Sequence, residues 1–249
     1  MRIFKLSICF LIILILNLYC IVPCFAEESV YVWSPIHSNN TNEIATTENM
    51  TTENIETEET NSEVVDNNSL SLESGSAILI EQTTGQILYS HNIHEQLRPA
   101  SVTKVMSILL IMEALDSGRI TLSDSVPCSE NAASMGGSQI WLDPRETLTV
   151  DEMLKAICVN SANDCVVAMA EYIAGSEEAF VQMMNDKAKE LGMNDTIFKN
   201  CHGLDEDGHV TSAYDISLMS RELLNNHPSI TNYTTIWMDT LRDRKISAF

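Results

Sequence analysis

Basic residues are scarce in this chain, which carries 14 Lys and Arg against 35 Asp and Glu and has a formal net charge of -21 over 249 residues. Because nucleic-acid binding depends on positive charge that neutralises phosphates, the composition argues against a nucleic-acid partner. Cysteine is sparse as well, at 7 residues, and no C-x-x-C or His–Cys spacing typical of zinc ligands occurs. The sequence therefore indicates neither a metal site nor a cofactor.

Lysine and arginine are absent altogether from residues 27–73, a segment rich in Glu, Asn, Thr and Ser. It also lacks apolar periodicity, so it cannot bury enough surface to offset the entropy of ordering it. We predict a disordered, acidic, Ser/Thr/Asn-rich linker over 27–73. Its eleven acidic residues supply about half of the net charge, so the acidity says little about what the folded part binds.

The long apolar run is at the N-terminus, where residues 6–22 are almost wholly apolar and follow Arg2 and Lys5. A basic start, an apolar stretch and a small-x-small tripeptide that ends at Ala26 are typical of a secretory signal peptide. We predict a signal peptide over 1–26 and an exported protein. Since the run is close to transmembrane length, an uncleaved anchor is the alternative.

Four cysteines follow the predicted signal peptide, at Cys128, Cys158, Cys165 and Cys201. An even number in an exported protein permits disulfides. However, Cys158 and Cys165 lie in apolar runs, where cysteine behaves as a small buried hydrophobe. In one continuous helix they would be about 10 Å apart, too far to bridge. The sequence leaves the disulfide state open.

Residues 74–249 are long enough for one domain with a sizeable core. Short β-prone runs at 77–80 and 86–89 flank a turn that ends in glycine, which indicates a hairpin. Thr149, followed three residues later by Glu152, has the spacing of a capping box and predicts a helix start. Apolar patterns predict further helices after Lys104 and over 166–174, 177–191 and 213–225, with a loop-rich stretch over 120–149. A hairpin followed by helices predicts the α+β class.

The stretch around Ser101 carries the first candidate chemistry. Pro99 favours an extended approach and a helix-length apolar run follows Lys104, so Ser101 lies at or near a helix N-terminus with Lys104 on the same face. A lysine can take the proton of a serine hydroxyl if burial lowers its pKa, and free N–H groups at a helix start suit an oxyanion. Ser101 and Lys104 are therefore a candidate nucleophile–base pair, although a serine N-cap beside a solvated lysine gives the same pattern.

A second polar stretch interrupts two apolar helical runs at Ser161-Ala162-Asn163. Alone it indicates no more than a turn. After an S-x-x-K motif, however, a triplet of this type is typical of penicillin-binding proteins and class A β-lactamases. Such a site implies that Ser161 relays a proton to the leaving-group nitrogen and that Asn163 donates its side-chain amide to the substrate's peptide carbonyl.

The resemblance extends beyond these two motifs. Residues 98–107, R-P-A-S-V-T-K-V-M-S, resemble the P-A-S-x-T-K-x-M-[ST] block of low-molecular-mass penicillin-binding proteins. More narrowly, they resemble the serine-type D-alanyl-D-alanine carboxypeptidases, peptidase family S11, of Gram-positive, spore-forming bacteria. Supporting blocks lie at 84–89, 132–138, 161–164, 189–193, 200–204 and 211–215.

The resemblance implies a β-lactamase/transpeptidase-like fold, an antiparallel sheet flanked by helices. It also implies an acyl-enzyme mechanism in cell wall biogenesis. Ser101 would attack the penultimate carbonyl of a peptidoglycan stem peptide and release the terminal D-alanine. β-Lactams would be covalent inhibitors at the same serine, and the protein would act on the cell-wall face of the cytoplasmic membrane.

One motif of the family is absent, since no Lys-Thr-Gly or His-Thr-Gly follows Ser161 before Phe249. In the family this motif holds the substrate carboxylate and borders the oxyanion hole, and one lost oxyanion donor costs about 10²–10³ in rate. We therefore expect 74–249 to be an incomplete catalytic domain without its C-terminal part and with impaired activity. Membrane contact is expected only through the signal segment or a missing C-terminal anchor. The alternatives are a β-lactamase-like hydrolase and a catalytically dead, wall-associated remnant.

Overall fold

The predicted hairpin is present in the computed structural model of the protein, which describes residues 72–242 and 244–247. Strands β1 (Ala77–Ile80) and β2 (Ile87–His91) pair antiparallel, with a register shift between Leu79 and Ile80. The turn between them uses Gly85 at a φ of 77°, a conformation that glycine adopts without steric cost. The first strand has the predicted bounds, whereas the second starts one residue later and ends two residues later than predicted.

About half of the described chain after the hairpin is helical. The helices are α1 (Lys104–Asp116), α2 (Glu130–Ala133), α3 (Val150–Asn160), α4 (Asn163–Ala174), α5 (Glu177–Glu190), α6 (Ala213–Asn226) and α7 (Thr231–Thr234). The remaining strands are β3 (Ser125–Pro127), β4 (Thr147–Thr149), β5 (Met238–Leu241) and β6 (Arg244–Ser247). Within the described residues the strands form three antiparallel pairs, β1–β2, β3–β4 and β5–β6. This arrangement confirms the α+β class.

The stretch 120–149 is loop-rich, as predicted, and the short elements β3, α2 and β4 also lie within it. Elements of this length carry too little periodicity to be predicted from the sequence. One predicted helix start is wrong. Helix α4 begins at Asn163, three residues before the predicted start, because the turn at Ser161 is tight enough for the polar residues to enter the helix.

Helix α1 is the centre of the core. Its side chains are buried on nearly all sides, and it contacts α4, α5 and α6, while α6 also covers β1. Met106, Leu109 and Ile111 are completely inaccessible to solvent, and each such side chain contributes roughly 1.5–3 kcal/mol. A helix that is apolar all round must be surrounded by protein, so its first turn is held in a fixed place.

The four cysteines of this region are free thiols, and Cys158 and Cys165 lie on different helices, α3 and α4. The predicted signal peptide (1–26) lies outside the described residues, and so does the predicted linker (27–73) except for its last two residues. In the part of the chain that the structure describes, every helix is too short or too polar to cross a membrane.

The capping box of α3 offers a test of the fold. The Thr149 hydroxyl accepts a hydrogen bond from the Glu152 N–H at 3.2 Å, and the Glu152 carboxylate accepts one from the Thr149 N–H at 2.8 Å. We expect Thr149→Ala to lower the free energy of unfolding by about 1 kcal/mol, measured by urea denaturation, because the helix start loses its cap. Thr149→Ser, which keeps the hydroxyl, should stay within about 0.5 kcal/mol of the wild type. Equal losses in the two variants would contradict the role of the cap.

Candidate active site

Ser101 and Lys104 lie where the sequence predicts them. A short 3-10 turn, Ala100–Thr103, runs directly into α1, so the serine is at the start of the helical segment and is exposed. Lys104 is one turn further and is buried, with 3% of its surface exposed. Its Nζ donates a hydrogen bond to Ser101 Oγ at 3.1 Å. The two side chains are therefore in contact and in position for proton transfer.

The surroundings of Lys104 favour its neutral form. Burial lowers the pKa of its amine from 10.5 to about 8, since the charged form loses solvation inside the protein. The Nζ has a second acceptor, the backbone carbonyl of His202, at 2.7 Å. With a pKa of about 8, roughly a tenth of the molecules carry the neutral amine at pH 7, far more than for a free lysine, and this form can act as a base.

The loop around His202 forms a wall of the site. Next to the lysine's acceptor, the Cys201 carbonyl accepts a hydrogen bond at 2.7 Å from Ser107 Oγ, one turn further along α1. Gly203 has a φ of 92°, and a Cβ at this position would lie 1.9 Å from the Ala100 carbonyl oxygen, so only glycine fits against the turn that carries Ser101. In the sequence, this loop is visible only as one supporting block of the family resemblance, at 200–204.

His202 and His209 lie in loops, and both are buried. His209 Nδ1 accepts the Lys199 N–H at 2.9 Å, so its proton is on Nε2, which lies 2.7 Å from Thr103 Oγ1. This bond holds the residue directly before Lys104. Burial lowers the pKa of His209, which keeps the ring neutral.

The Ser161–Asn163 motif occupies the turn between α3 and α4. Ser161 is half-buried and has a φ of 52°, an uncommon left-handed conformation for a residue other than glycine. Asn163 is the first residue of α4, with 3% of its surface exposed. Its Nδ2 donates to the Gly136 carbonyl at 2.7 Å, and its Oδ1 has no partner among the described residues.

A loop over residues 136–142 is tied to this turn. Asn163 N–H donates to the Ser138 carbonyl at 2.7 Å, and the fully buried Asp164 carboxylate accepts the N–H groups of Ile140 at 3.1 Å and Leu142 at 3.0 Å. Charge-assisted hydrogen bonds of this kind are stronger than neutral ones. The loop and the motif therefore form one rigid unit.

The same loop links the two motifs. A Cβ on Gly137 would lie 2.8 Å from Asn163 Nδ2 and 3.4 Å from Leu204 Cδ2, so Asn163 faces the end of the loop that holds Lys104. The structure thus brings Asn163 to the wall of the Ser101 site. No described hydrogen bond joins Ser161 to Ser101 or Lys104, so its relay role stays a prediction.

Comparisons with known proteins show the family of the chain. The sequence profile of the D-alanyl-D-alanine carboxypeptidase family, peptidase S11, matches residues 59–248. D-alanyl-D-alanine carboxypeptidase DacF of Bacillus subtilis is 56% identical over 182 residues, which make up 73% of this chain and 46% of that protein. The chain spans about half the length of the curated relatives it matches.

Solved structures give the same picture. A peptidoglycan synthesis regulatory factor (PBP3) from Streptococcus pneumoniae superposes with a TM-score of 0.68 at 33% identity, over 72% of this chain and 53% of that one. Penicillin-binding protein D2 from Listeria monocytogenes in its ampicillin-bound form has a TM-score of 0.64 at 26% identity, over 72% of this chain and 73% of that one. These similarities confirm the predicted β-lactamase/transpeptidase-like fold.

The burial of Lys104 predicts a pH dependence of stability. Between pH 8 and 10.5 the unfolded chain binds a proton at this residue that the folded chain has released, so the free energy of unfolding should rise with pH in this window. In Lys104→Met this rise is lost, and we expect the wild type to gain stability relative to the variant from pH 8 to 10.5, as measured by urea denaturation. Lys189→Met, at an exposed lysine, should keep the wild-type slope. Parallel curves for wild type and Lys104→Met would contradict the burial effect.

Proposed function

Since this chain belongs to the D-alanyl-D-alanine carboxypeptidase family, we propose that the protein is a serine-type carboxypeptidase that removes the terminal D-alanine from peptidoglycan stem peptides. The observation that carries the proposal is the contact between the buried Lys104 amine and Ser101 Oγ, at 3.1 Å. It pairs a nucleophile with a base whose pKa is about 8.

The reaction begins at Ser101. Neutral Lys104 takes the proton from Ser101 Oγ as this oxygen bonds to the carbonyl carbon between the two D-alanines, and the carbonyl oxygen becomes an oxyanion. The Ser101 N–H, at the start of the helical segment, has no hydrogen-bond partner among the described residues and is a donor for the oxyanion. When the C–N bond breaks, D-alanine leaves with a proton and an ester remains on Ser101. Water then hydrolyses the ester.

Ser161 and Asn163 have supporting roles in this scheme. Ser161, half-buried in its turn, passes the lysine's proton to the departing nitrogen. Asn163 uses one of its two amide hydrogens on the Gly136 carbonyl and offers the other to a substrate carbonyl. The tie to Gly136 pre-orients the amide, which reduces the entropy lost on binding.

β-Lactams are proposed as covalent inhibitors of the same serine, because a strained amide that resembles the substrate acylates the nucleophile. In the described part of the chain, the hydrogen bonds of Ser101 and Lys104 involve no carboxylate. A carboxylate base is what fast hydrolysis of the acyl-enzyme would need. The site therefore favours a long-lived penicillin adduct over a β-lactamase activity.

The proposed substrate sets the place of action. Peptidoglycan lies outside the cytoplasmic membrane, so we propose export by means of the apolar segment over residues 6–22 and action at the cell-wall face. Peptidoglycan stem peptides are the proposed partner, and the acidic composition gives no support for a nucleic-acid partner.

The decisive experiment is to find the residue that penicillin labels. After incubation with penicillin, mass spectrometry of peptides should place the adduct on Ser101. Lys104→Ala should reduce labelling by at least about 10²-fold while near-ultraviolet circular dichroism stays native, because the serine loses its base. Lys189→Ala, an exposed lysine, is the matched control and should label as the wild type does. Label on another serine, or no label on folded wild type, would refute the proposed function.

Gly203 gives a second test, since it supports the turn that carries Ser101. In Gly203→Ala the new methyl group must displace the Ala100 carbonyl, and a shift of the nucleophile by about 1 Å can cost 10²-fold in rate. We expect acylation of Ser101 by penicillin to slow by about that factor. Gly208→Ala is the matched control, because Gly208 also has a positive φ, of 81°, but would meet only a lysine side chain at 3.4 Å. If both variants lose the same activity, backbone strain rather than the contact with Ala100 is the cause.

A further inference from the structure

Glu177 lies behind the wall of the site and has no part in the scheme above. It is the first residue of α5, and a single oxygen, Oε1, meets three donors of the neighbouring loop. These are the Cys201 N–H and the Cys201 thiol, both at 3.3 Å, and His202 Nε2 at 3.4 Å. The carboxylate is largely buried, with 18% of its side-chain surface exposed.

The loop that Glu177 holds is the one that orients the base. The Cys201 carbonyl is bonded to Ser107, and the next carbonyl, that of His202, accepts the Lys104 Nζ hydrogen bond at 2.7 Å. Ser107 and Lys104 belong to α1, whereas Glu177 belongs to α5. The peptide segment Cys201–His202 is therefore clamped between two helices, with the lysine on one side and the carboxylate on the other.

The two side-chain donors that face Glu177, the Cys201 thiol and the His202 ring, are neutral near pH 7. Burial raises the pKa of the Cys201 thiol well above its usual value, and burial lowers the pKa of His202. His202 Nδ1 accepts the Leu204 N–H at 3.1 Å, so its proton is on Nε2, which points at Glu177. Glu206 faces the loop from its other side, through Asn200 at 3.2 Å. Glu177 thus acts as a hydrogen-bond acceptor for neutral donors.

We propose that Glu177 is a positioning residue for the reaction: its Oε1 fixes the Cys201–His202 backbone, and this backbone holds the Lys104 amine against Ser101. The inference rests on the proposed function, because it assigns Lys104 the role of base. Glu177 touches neither Ser101 nor Lys104, so it acts through the loop.

The test compares Glu177→Ala with Glu177→Gln and with Glu178→Ala. Alanine removes the acceptor, glutamine keeps an oxygen at the same place, and Glu178 is the exposed neighbour on the same helical turn.

In the full chain labelled with ¹³C at lysine Cε, NMR titration reports the pKa of Lys104 directly. We expect Glu177→Ala to raise this pKa by at least half a unit toward 10.5, because a loosened loop admits water to the amine. Acylation of Ser101 by penicillin should slow at least tenfold, and the pH midpoint of its rate should move upward.

The expected pattern is specific to positioning. Glu177→Gln should restore both the titration and the acylation rate to within about twofold of the wild type, and Glu178→Ala should change neither. An unchanged Lys104 titration in folded Glu177→Ala would overturn the proposal, and so would a glutamine variant that behaves like alanine. If Glu177→Ala does not fold, Glu177→Asp replaces it, because aspartate is one methylene shorter and moves the oxygen away from the loop. This variant should also raise the pKa of Lys104, and an unchanged pKa would overturn the proposal. Since the titration needs no turnover, a wild type that penicillin does not label would refute the proposed function and leave this result to stand separately.

Discussion

The structure of this site depends on one costly arrangement, an amine buried at the start of α1, the most apolar of the helices in residues 72–242. Lys104 would be fully charged in water, but α1 is surrounded by α4, α5 and α6. Two acceptors, Ser101 Oγ and the His202 carbonyl, compensate only part of the lost solvation. The burial therefore costs stability, and in the proposed reaction it also lowers the pKa of the amine enough for part of the molecules to carry the neutral base.

The start of α1 carries Ser101 and Lys104, but the other residues of the candidate site come from separate segments of the chain. The wall comes from the Cys201–Gly203 loop, and the Asn163 motif comes from the far end of α3. These parts meet because glycines allow close approach, with Gly203 against Ala100 and Gly137 between Asn163 and Leu204. The Asp164 carboxylate stabilises the contact at Gly137, because it accepts hydrogen bonds from backbone N–H groups of the 136–142 loop. A site of three separate segments thus depends on two glycines and one buried carboxylate.

The features of the fold and site that the sequence could predict are those made by residues close together in the chain. The hairpin, the capping box of Thr149 and the spacing of Ser101 and Lys104 are local patterns, and the structure contains all of them. The burial of His209 could not be predicted from the sequence, because it accompanies a contact with Thr103, which lies 106 positions earlier in the chain. The clamp at Glu177 likewise depends on a loop 24 residues further along the chain. Residue type and spacing predict chemistry, but tertiary contacts decide which groups lose water.

Lys104 and the Cys201–Gly203 loop are far apart in the sequence, and this separation matters while the chain is still unfolded. The bonds that bury the lysine join residues 98 and 94 positions apart, so they close only after residues up to about 203 have been synthesised and have docked on α1. Until then Lys104 is solvated and has the pKa of a free lysine, about 10.4. In the proposed reaction, a nascent or unfolded copy therefore lacks the base that Ser101 requires, and folding creates this base.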